Sequence, residues 1–169
     1  VARTSYAIGV GSNRPGRHGR PSDEVLASLA ELDRAPGRIV ARSPLIATPP
    51  LGPSKRRFVN AVAILETDED PAALLRRLKA IERRFGRRRG RNWAARVIDL
   101  DILLWSEGAW ASPGLVIPHS RFRERRFVLD PLVRVAPGWR DPVSGRTARQ
   151  LRARLTRPAP APRGSSVGP

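Results

Sequence analysis

In the run Val97-Ile98-Asp99-Leu100-Asp101-Ile102-Leu103-Leu104, two carboxylates alternate with branched apolar residues. In a β-strand successive side chains point to opposite faces, so Asp99 and Asp101 share a face roughly 7 Å apart. Ile98, Leu100, Ile102 and Leu104 then face the other way. Two acids in so apolar a setting repel each other and lose hydration unless cations neutralise them. Mg²⁺ bridging to phosphate does this, because it takes one or two carboxylates and completes its shell with phosphate oxygens and water. Two aspartates on a solvated sheet face, or paired with arginines, would give the same pattern, and an isolated pair favours that simpler reading.

The neighbouring residues change the balance. Arg83 to Arg96 carries seven arginines and no carboxylate, directly before the paired acids. Arginine forks hold phosphate oxygens bidentately and stabilise charge on a moving phosphoryl group. A solvated basic loop able to contact an RNA backbone is the alternative for this run. Trp93 in its middle suits a stacking platform, a pocket wall or a core anchor, and spacing does not separate these.

Phe58 and Asn60 are two apart in an apolar run and share a face, so a ring could stack on a flat heterocycle while the amide reads its edge. A core phenylalanine beside a strand-end asparagine is the plainer reading. His119 after Pro118 is a phosphate contact or a satisfied loop histidine, and a lone histidine is more often the latter. His18 lies in a Gly/Arg-rich loop and carries little information.

These residues need elements to hold them. Ser5 to Val10 reads as a buried strand running into Gly11-Ser12-Asn13 and a loop through Pro21. Ser22 is the expected N-cap of a first helix whose apolar face is Val25, Leu26, Leu29 and Leu32, stopped by Pro36-Gly37. Arg38 to Ala47 has strand character broken by Pro44, which implies an edge position or a bulge, and Thr48 to Pro53 forms a shaped loop. Phe58 to Leu65 is a third strand. Asp70-Pro71 caps a second helix through Phe85, with Leu74, Leu75, Leu78, Ile81 and Phe85 as its stripe and Glu82 at the margin, an acid that needs a partner. Val97 to Trp105 is the strongest strand, Leu115 to Ile117 a short one, and Phe127 to Val135 and Thr147 to Leu155 read as short helices. Strand, helix, strand, strand, helix, strand predicts an α+β domain with a mainly antiparallel, ferredoxin-like sheet and helices packed on it.

The 169 residues fit one domain, expected over residues 1–156, with a disordered Pro/Ala/Gly-rich tail over 157–169. The absence of cysteine excludes disulfides and thiolate metal sites. Val1 to Val10 lacks a targeting pattern and no apolar run reaches membrane-spanning length, so we expect a cytoplasmic chain that uses no membrane. The formal charge of +17 attracts polyanions, nucleic acids and nucleoside triphosphates alike. Lys55 and Lys79 are the only lysines, which points as much to an arginine bias of the whole chain as to a selected basic surface.

The ordered set Gly11-Ser12-Asn13, Thr48-Pro49-Pro50-Leu51-Gly52-Pro53, Phe58-Val59-Asn60, Ile81-Glu82, Gly86-Arg87, Arg96-Val97-Ile98-Asp99-Leu100-Asp101 and Pro118-His119 resembles the 6-hydroxymethyl-7,8-dihydropterin pyrophosphokinase family. Arg125, Phe127-Val128-Leu129 and Pro131-Leu132 extend the match, so it covers about Tyr6 to Pro137. The resemblance implies diphosphate transfer from ATP to 6-hydroxymethyl-7,8-dihydropterin in folate biosynthesis, with AMP leaving and two Mg²⁺ ions on Asp99 and Asp101.

By the same resemblance, Phe58 and Phe127 clamp the pterin, Asn60 bonds its edge, and Thr48, Leu51 and Trp93 complete that pocket. Arg87, Arg89, Trp93, Arg96, Ile102, His119 and Arg125 contact ATP. Arg87 and Arg96, with the two aspartates, form the expected catalytic set. The segment between Gly86 and Arg96 corresponds to the family's catalytic loop, departing from its pattern at Asn92 and Ala95. Glu82 matches an acid common in the family and is expected to order the neighbouring arginines. We expect a stand-alone monomer without a nucleic-acid partner. The rival readings are an RNA-binding ferredoxin-like module, which leaves the paired acids unexplained, and a catalytically impaired family member.

Overall fold

The computed structural model describes residues 2–49, 57–86 and 96–157. The chain runs β1 (Thr4–Ser12), α1 (Pro21–Arg34), β2 (Arg38–Arg42), β3 (Ile46–Thr48), β4 (Phe58–Thr67), α2 (Pro71–Phe85), β5 (Asp99–Trp105), β6 (Trp110–Ser112), β7 (Leu115–Ile117), α3 (Arg126–Val135) and α4 (Ala148–Thr156). The main sheet has the order β2-β4-β1-β5, with β3 also on β4, and every pairing is antiparallel. Counting β2 and β3 as one interrupted strand, this is the expected ferredoxin-like arrangement.

Strand alternation divides the apolar residues into two clusters. Tyr6, Ile8 and Val10 of β1, with Leu65 of β4 and Leu100 and Ile102 of β5, pack against Val25, Leu29 and Leu32 of α1 and Leu74, Leu78, Ile81 and Phe85 of α2. On the other face, Ala7, Val62, Ile64, Leu103 and Leu104 meet Phe122, Val128, Leu129 and Leu132 around α3, and Leu151 of α4. The sheet is therefore covered by helices on both sides.

Four local expectations are corrected and one element is added. The N-cap of α1 is Arg20, not Ser22: Pro21 takes the first helical position, where its missing N–H costs nothing, and Asp23 accepts from the Arg20 amide at 2.8 Å. Leu26 is 44% exposed and Ser28 is buried in its place, because about 100° per residue puts Leu26 outside the arc of Val25, Leu29 and Leu32. The strand expected from Val97 begins at Asp99, although Ile98 is fully buried just before it. Leu104 shares the face of the aspartates, because the β1–β5 register shifts so that Ala7 pairs with Leu104 but Ile8 with Ile102, leaving Leu103 as the extra residue of a bulge. The short strand β6 was not foreseen; it pairs only with β7.

The interrupted second strand behaves as expected. β2 is an edge strand with an irregular register, and the break before β3 is held by Ser43, whose amide donates to Val62 O at 2.9 Å and whose Oγ accepts from the Val62 amide at 3.0 Å.

Candidate active site

On the α3 side of the sheet, a cleft of about 600 Å³ opens between β1, β4 and β5 on one side and the segment His119 to Val128 on the other. Its floor follows from β1. That strand sends Tyr6, Ile8 and Val10 into the core of α1 and α2, and turns Gly9 and Gly11 toward the cleft. A Cβ on Gly11 would lie 2.8 Å from Asn60 Oδ1, so the glycine makes the space in which the Asn60 side chain sits. Ser12, buried next to it, donates from Oγ to Val97 O at 2.6 Å and ties β1 to the approach of the acid strand.

Thr48, Phe58, Asn60 and Phe127 line one part of the cleft, and Asp99, Asp101, His119 and Arg125 another. Asn60 Nδ2 donates to Thr48 Oγ1 at 3.4 Å, across the β3–β4 pair. The Arg125 guanidinium carbon lies 5.6 Å from the Phe127 ring centre, within cation–π reach. His119 is fixed at the bulge of β5: its amide donates to Leu103 O at 2.9 Å, and its Nδ1 accepts from the Arg121 amide at 3.2 Å. Burial lowers the His119 pKa and the Arg125 and Arg121 charges lower it further, against the opposing pull of Asp101. The neutral ring, with Nε2 available to a ligand, is thereby favoured.

At the acid end, burial raises the Asp99 pKa, and the nearby Glu82 and Asp101 charges raise it further, against Arg96 and Lys79. Burial first, and like charge second, thus disfavour the ionised form of Asp99. The oxygens of Asp99 and Asp101 suit Mg²⁺, which takes one or two carboxylates together with phosphate oxygens and water. Among the described residues no group of three or more His, Cys, Asp or Glu gathers as a metal cage, and two carboxylates open to a cleft match the ligand set of an ion that also binds phosphate.

Glu82 has its partners. The carboxylate, 4% exposed, accepts from Arg96 Nη1 at 2.9 Å, from Lys79 Nζ at 3.2 Å, and from the Leu100 amide at 2.9 Å. Arg96 Nη1 lies 3.8 Å from Asp99 Oδ1. The chain leaves α2 at Gly86, whose φ of 97° is open to glycine at little cost, and returns at Val97, whose amide faces Gly86 O at 3.5 Å.

Of the expected site residues, Thr48, Phe58, Asn60, Phe127, Asp99, Asp101, His119 and Arg125 line this one cleft, and Arg96 stands beside Asp99. Leu51, Arg87, Arg89 and Trp93, with the departures Asn92 and Ala95, lie outside the described residues. Ile102 does not present its side chain to the cleft: it is 3% exposed in the core on the α1/α2 side, so only its backbone is available to a ligand. Gly9, Arg121 and Arg126 also line the cleft and were not anticipated. The strict alternation of large and small residues in Tyr6-Ala7-Ile8-Gly9-Val10-Gly11 was the signal for the first; nothing in the sequence singles out Arg121 and Arg126 among so many arginines.

A family described as 7,8-dihydro-6-hydroxymethylpterin-pyrophosphokinase matches residues 7–137. The chain belongs to this family. It is 43% identical over 148 residues to the 2-amino-4-hydroxy-6-hydroxymethyldihydropteridine pyrophosphokinase of Pseudomonas aeruginosa, covering 86% of this chain and 88% of that protein. It is 37% identical over 154 residues to the same enzyme of Methylorubrum extorquens, covering 90% and 94%. The fold matches the wild-type HPPK-DHPS of Plasmodium falciparum with a TM-score of 0.68 at 14% identity, over 90% of this chain and 45% of that longer protein. As a pyrophosphokinase of folate biosynthesis, the chain is an ATP-dependent enzyme that transfers diphosphate to 6-hydroxymethyl-7,8-dihydropterin, giving AMP and the pterin diphosphate.

Proposed function

We propose that the cleft carries out this transfer with the pterin between Phe58 and Phe127 and the ATP triphosphate at Asp99 and Asp101. The observation that supports it is the joining of an aromatic–amide pocket and two neighbouring carboxylates in one cleft. Two Mg²⁺ ions on these aspartates would neutralise the triphosphate and orient it for in-line displacement. Asn60 and the Thr48 backbone fix the pterin edge, with Leu51 and Trp93 closing the pocket. The pterin hydroxymethyl oxygen then attacks the β-phosphorus, its bond forming as the bond to the AMP oxygen breaks. Arg96 and Arg87 stabilise the charge of the transferring group; Arg89, Arg125, neutral His119 and the Ile102 backbone hold the nucleotide. Positioning and charge stabilisation thus supply most of the acceleration, and the hydroxymethyl proton passes to solvent as the new bond forms.

RNA binding has less support. An RNA-binding sheet of this topology needs an open face for stacked bases, whereas here α3 and α4 cover much of the face opposite α1 and α2. We expect a monomer acting in the cytoplasm without a nucleic-acid partner; no helix among the described residues is long and apolar enough to cross a membrane. The test of the assignment is AMP and pterin diphosphate formation with ATP and Mg²⁺, alongside Phe58→Ala. The variant should raise the pterin KM at least tenfold with little change in the ATP KM. An unchanged pterin KM removes Phe58 from the pocket.

A further inference from the structure

Glu82 belongs to neither of the two substrate subsites, yet it is the most engaged carboxylate near them. It projects from the last turn of α2 at 4% exposure, where an unpaired charge would be costly. Its Oε1 receives the Leu100 amide at 2.9 Å. β5 is the edge strand of the sheet, so an outward amide there has no strand partner, and Leu100 is the residue between the two proposed metal ligands. Its Oε2 receives Arg96 Nη1 at 2.9 Å. One carboxylate therefore fixes both the backbone between Asp99 and Asp101 and the guanidinium proposed to stabilise the transferring group.

The geometry points to Glu82 as a positioning residue for diphosphate transfer, acting through Arg96; the inference rests on the functional reading above. With Arg96 anchored by Glu82 on one side and 3.8 Å from Asp99 on the other, its fork is pre-set beside the acids before nucleotide arrives. Prior placement of a charged donor removes its reorganisation from the reaction barrier. Glu82 contributes nothing favourable to nucleotide affinity itself, since its charge has the sign of the triphosphate. Its removal should therefore lower turnover without weakening nucleotide binding, a split that general damage to the fold does not produce.

Glu82→Gln isolates the effect. The amide oxygen can still accept from the Leu100 amide, but the amide nitrogen meets Arg96 donor to donor. Glu31→Gln is the control, removing a like charge from α1 in its exposed pair with Arg84 of α2. The expected result is a kcat at least tenfold lower for Glu82→Gln, with calorimetric Kd for an α,β-methylene ATP–Mg²⁺ complex no weaker than wild type and Glu31→Gln unchanged. In an Arg96→Ala background the same Glu82→Gln change should cost less than twofold, because the two residues act as a unit. Wild-type kcat in Glu82→Gln, or full additivity with Arg96→Ala, overturns the inference. A loss of kcat accompanied by weaker nucleotide binding and a lower Tm assigns Glu82 to the fold alone and overturns it too. Wild-type protein that makes no AMP instead overturns the functional reading, a result distinguishable from all of these.

Discussion

Two carboxylate clusters in this molecule have opposite electrostatics. Asp141, fully buried beyond α3, accepts from Arg123 Nε and Nη2 at 2.6 and 2.7 Å, from Ser144 Oγ at 2.6 Å and from the Val143 amide at 3.0 Å. Burial alone would raise its pKa, but these bonds and the arginine charge outweigh it and hold the carboxyl well below the usual range. At the β5 cluster, Arg96 and Lys79 pair with Glu82, Arg96 lies 3.8 Å from Asp99, and burial with the charges of Glu82 and Asp101 raises the Asp99 carboxyl. The first cluster is charge-matched and complete without any ligand. In the second, among the described residues, burial and like charge outweigh the cations at Asp99, and a bound cation would oppose both. A perturbed carboxylate alone does not mark a site; Asp99 differs from Asp141 in also lining the cleft.

Breaking each cluster should have opposite consequences. Asp99→Asn with Asp101→Asn should lower kcat by about 10³-fold through loss of metal-assisted charge stabilisation, while the Tm of the ligand-free protein holds or rises, because a mutual repulsion is removed. Steady-state AMP formation and calorimetry read both; a large fall in Tm would contradict the comparison. Asp141→Ala should do the reverse, leaving Arg123 unpaired at a cost of about 3 kcal/mol, or roughly 10 °C in Tm for a chain of this size, with the acid cluster still able to bind Mg²⁺ and nucleotide.

Two smaller effects sharpen the contrast. Gly11→Ala should displace Asn60 and weaken pterin binding by about tenfold, the loss of roughly one good hydrogen bond, with ATP affinity unaltered; fluorescence titration of the pterin checks it. The pH dependence of stability is the smallest. The raised Asp99 contributes stability that is complete below its unfolded pKa and is lost as pH rises through its folded one. The lowered Asp141 contributes stability present above its unfolded pKa and lost as pH falls through its folded one. Acidification from neutral pH thus regains stability at Asp99 before losing it at Asp141. Ligand-free Asp99→Asn should accordingly lose Tm more steeply than wild type as pH falls toward the ordinary aspartate range, and parallel slopes would count against the assigned shift.

The sequence was most legible where local pattern and tertiary need coincide. Pro71 to Phe85 folds as the helix its stripe and Asp70 cap require, and Asp70 Oδ1 accepts from the Ala73 amide at 2.8 Å. The shared face of Asp99 and Asp101 followed from strand periodicity, and the need of Glu82 for a partner from its place beside that stripe. Hidden from the sequence were the features that depend on packing between distant segments. The bulge at Leu103, which turns Leu104 to the cleft side, depends on how β5 meets β1. His18, uninformative as a loop residue, gives its Nδ1 to the buried Glu24 at 2.8 Å and lays its ring 4.8 Å from Phe85 at the end of α2. The ring contact spans 67 positions of the chain, and spacing along the sequence cannot show it.

The central claim is that the paired carboxylates Asp99 and Asp101 are a site for metal-bound triphosphate. The most direct measurement is a Mn²⁺ titration followed by electron paramagnetic resonance, with saturating α,β-methylene ATP and the pterin substrate, on wild type and on the Asp99→Asn, Asp101→Asn variant. The account predicts two protein-bound ions per chain in wild type and their loss in the variant. Equal ion binding by the two proteins would contradict it.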